Sequence, residues 1–212
     1  MKNSSLTLLC AAILAAPLGA GAATLIDTLG TIDSPEQDVT WIVGNAGDGS
    51  KYSPFAAFVS STSGWLTDAV VSLRYVQGTV GSVSFELRAD QNGRPGPLLG
   101  AAPGSFTVQG GLTGANFQGG TAVVQGGTYW FGISTLVADT QLGWTLNPLD
   151  VQGGIAFNGE VQAPDEWHLQ QATQGAFQLN AVSAVPDAAP WALMLVGLGG
   201  IVIQRRRLTA RR

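Results

Sequence analysis

Val83-Ser84-Phe85-Glu86-Leu87-Arg88-Ala89, followed at once by Asp90-Gln91-Asn92-Gly93-Arg94-Pro95-Gly96, is the stretch that decides the fold. Val83, Phe85 and Leu87 alternate with Ser84, Glu86 and Arg88. A period of two sends the sets to opposite faces of a strand, so the pattern predicts one buried and one solvated face. The seven residues that follow are turn formers: Asn and Gly accept positive φ at little cost, and Pro presets φ.

The same signature recurs on both sides. Downstream, short strands are expected at 98–99, 106–108, 115–117 and 122–124, with a turn at Gly126-Gly127. Residues 128–135 place Tyr129, Phe131 and Ile133 on one face and Trp130 on the other. Residues 142–146, 155–157, 167–169 and 176–182 complete the set. Upstream, 65–75 puts Val71, Leu73 and Tyr75 on one face, and 55–60 and 39–43 read as strands. Residues 44–53 read as a loop and 24–38 as an irregular or short edge segment. No stretch of the middle sustains a helical period. The abundant glycines fall, on this reading, in turns and short hairpins, with no strict period and no internal repeat. Short strands at close spacing predict an all-β domain, an antiparallel β-sandwich or jelly roll.

The ends have a different character. Lys2 is a short basic region, residues 6–16 are apolar, and Ala20-Gly21-Ala22-Ala23 offers the small residues a signal peptidase reads. Cleavage is expected after Ala22 or Ala23. Cys10 lies inside the apolar stretch and follows Leu9, which argues against a lipid anchor there. It is the only cysteine, so the mature chain would hold no disulfide. At the other end Val185-Pro186-Asp187 precedes sixteen uncharged residues, 188–203, and then Arg205, Arg206 and Arg207. As a helix the run would span about 24 Å, short against a bilayer core of about 30 Å. Pro190 suits a first helical turn, Asp187 complements its dipole, and the arginines belong on the cytoplasmic side. The alternative is a buried core helix. The chain thus divides into 1–23, a signal peptide; 24–184, the β domain; and 185–212, a motif, transmembrane helix and arginine cluster.

Residues 24–184 hold thirteen carboxylates against Lys51, Arg74, Arg88 and Arg94, a net charge of 4 − 13 = −9. Such a domain lacks the basic patch that nucleic acid requires. The whole-chain value of −4 conceals this because the C-terminal arginines offset it.

Two resemblances follow from these residues. A signal peptide paired with Val185-Pro186-Asp187, an apolar helix containing Gly197-Leu198 and an arginine cluster resembles the PEP-CTERM sorting signal of Gram-negative bacteria. Asp187 stands where that motif carries Glu, and Ala188 where it carries the second Pro. The resemblance implies processing by an exosortase, transient membrane attachment, and association with exopolysaccharide and biofilm. It also implies delivery to the cell surface or matrix, or, unprocessed, an inner-membrane anchor with the domain in the periplasm. Val70-Val71-Ser72-Leu73, the stretch 83–96 and Gly126-Gly127-Thr128-Tyr129-Trp130-Phe131 are similar to the choice-of-anchor R type of domain. That likeness implies a β-sandwich and carries no catalytic residue.

Candidates for chemistry are sparse. His168 is the only histidine, and neighbouring Asp165 and Glu166 do not by sequence proximity make a relay. One histidine and no mature cysteine make the usual zinc ligand sets unavailable, and no metal site is expected. Asp48, in Asn45-Ala46-Gly47-Asp48-Gly49-Ser50, and Asp90 are candidates for structural calcium, although the later Glu of a calcium loop is missing. Glu86, Glu160, Asp165 and Glu166 would have to converge for a glycan-acting enzyme; solvated acidic loops are the simpler reading. Trp130, set apart from the Tyr129 face, is the candidate glycan contact, on the surface or under a loop. The expectation is a non-enzymatic exported surface or matrix protein, with a carbohydrate-binding module for exopolysaccharide as the alternative and a secreted glycan-acting enzyme below it.

Overall fold

Strand alternation sets the architecture of the computed structural model, which describes residues 22–30, 40–45, 50–107, 109–159 and 166–183. Twelve strands are present among them: β1 (Ala22–Asp27), β2 (Thr40–Asn45), β3 (Lys51–Val59), β4 (Gly64–Gln77), β5 (Ser82–Asp90), β6 (Pro95–Ser105), β7 (Gly111–Val123), β8 (Thr128–Thr135), β9 (Gln141–Thr145), β10 (Gln152–Gly159), β11 (His168–Thr173) and β12 (Phe177–Ser183). All belong to one compact unit, Gly21–Ser183. Among the described residues there is no helix, and so none long and apolar enough to cross a membrane. The signal-peptide residues before Ala22, the motif Val185-Pro186-Asp187, the apolar run and Arg205–Arg207 lie outside the described residues, as do Asp48, Glu160 and Asp165.

Every ladder is antiparallel, and the strands join in the order β1-β12-β4-β9-β2-β3-β8-β5-β6. β10 pairs with β3 and β11, and β7 pairs with β4. The all-β antiparallel expectation therefore holds, as one sheet curled into a half-barrel. Its concave face packs on itself. Phe131 on β8 stacks with Phe177 on β12 at 5.2 Å although these strands do not pair, and Trp144 on β9 meets Phe177 edge-on at 5.6 Å. The faces read from sequence are the buried ones: Val83, Phe85 and Leu87 are fully buried, with Val71, Leu73, Phe131 and Ile133 beside them. Fully burying one such side chain is worth about 1.5–3 kcal/mol, so this shared apolar face is what closes the sheet.

The turn after β5 is formed as its residues require. Gln91 N–H donates to Arg94 O at 2.9 Å, Asn92 and Gly93 take φ of 57° and 77°, and Gly93 N–H donates to Asp90 Oδ2 at 3.1 Å. β6 carries Pro95, Pro97 and Pro103; it pairs only with β5, and an edge strand tolerates missing N–H donors.

Several details depart from the sequence reading, among them the expected loop 44–53, which holds the end of β2 and the start of β3. Strand 98–99 is the middle of the longer β6. Strands 115–117 and 122–124 are one strand, β7, whose pairing with β4 shifts register around Gly119 and Gly120, both at positive φ. Phe106 is buried just beyond the end of β6, where its N–H donates to Gly81 O at 3.2 Å. Glycine is also not confined to turns: Gly132 and Gly154 are inside β8 and β10, and Gly104 is inside β6. The reason is steric. The side chain of Phe55 lies on Gly132 and that of Phe85 on Gly104, where a Cβ would take the ring's space, and that of Trp130 lies against Gly154, where a Cβ would be tight.

Candidate functional site

The convex face of the sheet carries its own small core. Cross-strand pairing sets Glu86, Gly132, Phe55 and Ala156 in one row and Arg88, Trp130 and Ala57 in the next. Paired residues share a face, so these side chains stack outside the main core. Phe55, Trp130 and Ala156 are buried together, with Ala57 and Trp167 packed against them. Trp167, just ahead of β11, meets Phe55 edge-on at 5.2 Å. The Arg88 guanidinium lies 5.5 Å from the Phe55 ring centre and 6.0 Å from that of Trp167. It is held by Glu86, whose Oε2 accepts from Nε at 3.1 Å and Nη2 at 2.9 Å, and by Gly96 O at 3.2 Å.

Trp130 lies in this second layer. It does face away from the main core, but it is only 3% exposed, and its Nε1–H donates to Asp90 Oδ1 at 2.8 Å. At that burial the ring presents almost no surface to solvent. The sequence pattern reports which face a residue takes; it does not report that a second layer of side chains covers that face.

Beside this cluster lies a polar cleft of about 330 Å³ lined by Arg88, Gln91, Arg94, Asn158 and Trp167. It brings together two of the four basic residues of 24–184, but Glu86 neutralises Arg88 and Asp90 lies at the same turn.

A larger groove, about 560 Å³, opens at the end of the main core. β2 and β3 pair at only two positions, Gly44 with Tyr52 and Asn45 with Lys51, and then part. β2 turns to β9, while β3 takes β10 and β8 as partners. The space left between them is walled by Trp41 and Ile42 on one side and by Tyr52, Pro54 and Phe157 on the other, with Thr40 and Gln170 as polar groups. Trp41 is fixed by its Nε1–H, which donates to Thr173 O at 3.0 Å. Phe157 meets Tyr52 edge-on at 6.1 Å and stacks on His168 at 5.4 Å. Trp41 and Phe157 pack on the core with one side and remain partly exposed on the other.

The remaining sequence candidates scatter. His168 is exposed on edge strand β11, and among the described residues no hydroxyl or carboxylate hydrogen-bonds to it. Glu86 is tied to Arg88, and Glu166 is exposed. Asp90 accepts from Gly93 N–H and Trp130 Nε1–H, one bond on each oxygen. No group of three potential metal-ligating side chains occurs among the described residues. The groove was not foreseen. Tyr52 falls in a stretch that reads as a loop, and Trp41 and Phe157 carry the same alternation as core residues, so no local signal separates them.

Compared with known proteins, the chain matches no family model and no curated protein.

Proposed function

We propose that this is a non-enzymatic exported protein of the cell surface or extracellular matrix, delivered by its C-terminal signal. The observation that carries the reading is the order Val185-Pro186-Asp187, sixteen uncharged residues, Gln204 and Arg205-Arg206-Arg207, in a chain that also begins with a signal-peptide pattern. β12 ends at Ser183, so the motif follows the folded domain almost directly. The signal peptide leads the chain across the inner membrane, the apolar helix halts it there, and an exosortase-like enzyme cuts near Val185-Pro186-Asp187. The curled sheet is read as the β-sandwich of a choice-of-anchor R type domain. The test is intact-mass and C-terminal peptide analysis of the protein from its own host. The expected product ends near residue 185; a population ending throughout at Arg212 would refute processing.

A second reading is favoured by the groove. Partly exposed aromatic side chains around a concavity, with few polar groups, are how proteins commonly bind sugar rings. On this reading the domain is a carbohydrate-binding module, for the exopolysaccharide with which the sorting signal is associated. Retention of the wild-type protein on the host's polysaccharide tests it.

A further inference from the structure

We infer that the groove between β2 and β3–β10 binds an uncharged polysaccharide chain, with Trp41 and Tyr52 as its stacking residues. The inference rests on the carbohydrate-binding reading and adds the site and the ligand class. Three observations carry it.

The first is composition. The seven residues that line the groove include Trp41, Tyr52 and Phe157 and no charged side chain. The apolar C–H face of a pyranose packs on such rings, and Thr40 and Gln170 supply a hydroxyl and an amide for sugar hydroxyls. The volume of about 560 Å³ lies within the usual range of ligand sites and suits a short run of sugar rings.

The second is fixation. The Trp41 indole is clamped by Thr173 O, and Phe157 is held between Tyr52 and His168. Side chains already immobilised lose little entropy on binding, which favours affinity from a small contact.

The third is charge. With a net charge of −9 over 24–184, the domain repels a polyuronate and leaves a neutral chain unaffected. In the polar cleft at Arg94 the Glu86 carboxylate pairs with Arg88, which weakens its attraction for an anionic chain.

The experiment uses the full-length chain expressed in its own host and recovered as exported. Affinity electrophoresis is run through gels holding a neutral glucan, a neutral galactomannan or a polyuronate, at low and high salt. Wild type is expected to be retarded by at least one neutral polymer, equally at both salt levels, and not by polyuronate. Trp41→Ala and Tyr52→Ala are each expected to weaken retention about tenfold or more, and Trp41→Phe to keep it within about threefold, because the phenyl ring still stacks. Circular dichroism confirms folding, and Tyr52→Ala carries the test if Trp41→Ala does not fold. Neutral-polymer binding unchanged in both alanine variants would overturn the site while leaving the carbohydrate reading standing. Salt-sensitive preference for polyuronate would overturn the ligand class alone. No retention by any polymer would remove both.

Discussion

Replacing Gly132 by Ala adds one methyl group in the middle of β8, and the structure places it on the Phe55 ring. A Cβ built there falls 2.5 Å from Cγ and closer still to Cδ1 and Cε1. Phe55 cannot move aside freely: it is 2% exposed, with Trp167 edge-on at 5.2 Å and Arg88 5.5 Å from its ring centre. Overpacking of this kind costs about 1–3 kcal/mol. Alanine in a strand regains about 0.5–1 kcal/mol through the lower entropy of its unfolded chain. The expected net loss is about 1–2 kcal/mol, which for a domain of this size is a fall in Tm of about 2–8 °C. Thermal and urea melts of the exported protein measure it. The double variant Gly132→Ala/Phe55→Leu isolates the cause, because a smaller residue at 55 removes the clash. It is expected to be more stable than the sum of the single changes predicts, a coupling that contact neighbours show and distant sites do not. Equal or higher stability of Gly132→Ala, or strict additivity in the double variant, would refute the steric account.

Two further outcomes test the polar joints of the sheet. Thr28 is 1% exposed; its single O–H is shared between Gly175 O and Phe177 O, and its Oγ1 accepts from Phe177 N–H. Thr28→Val keeps the shape and the Thr28 N–H bond to Phe177 O, removes the hydroxyl partner of Gly175 O and Phe177 N–H, and is expected to cost about 1–3 kcal/mol in a urea melt. Asp90→Ala removes the acceptor of both Gly93 N–H and Trp130 Nε1–H. A loss of about 1–2 kcal/mol is expected, with a change in near-ultraviolet circular dichroism as the Trp130 indole loosens; an unchanged spectrum would show that Asp90 does not position it.

The class of the fold and the identity of its core faces were legible in the sequence. The burial pattern of β5 alternates as Val83, Phe85 and Leu87 do, because a two-residue period needs only local backbone geometry and a water-free side. The turn at 91–94 was legible for the same reason: Asn92 and Gly93 determine their own φ. Strand ends were less so, since β6 continues through three prolines that only an edge position allows.

Tertiary structure decided what each face meets. Trp130 alternates correctly with Phe131, yet Phe55, Ala156 and Trp167 cover it, and those residues come from β3, β10 and the approach to β11. Conversely, Trp41, Tyr52 and Phe157 are partly open because β2 and β3 separate after two pairs, a consequence of which strands each edge finds as partners. Gly132 and Gly104 are landing places for the aromatic rings of Phe55 and Phe85 from neighbouring strands. A local period specifies which way a side chain points; only the long-range pairing of the sheet determines whether another strand, a ring or open solvent stands opposite it.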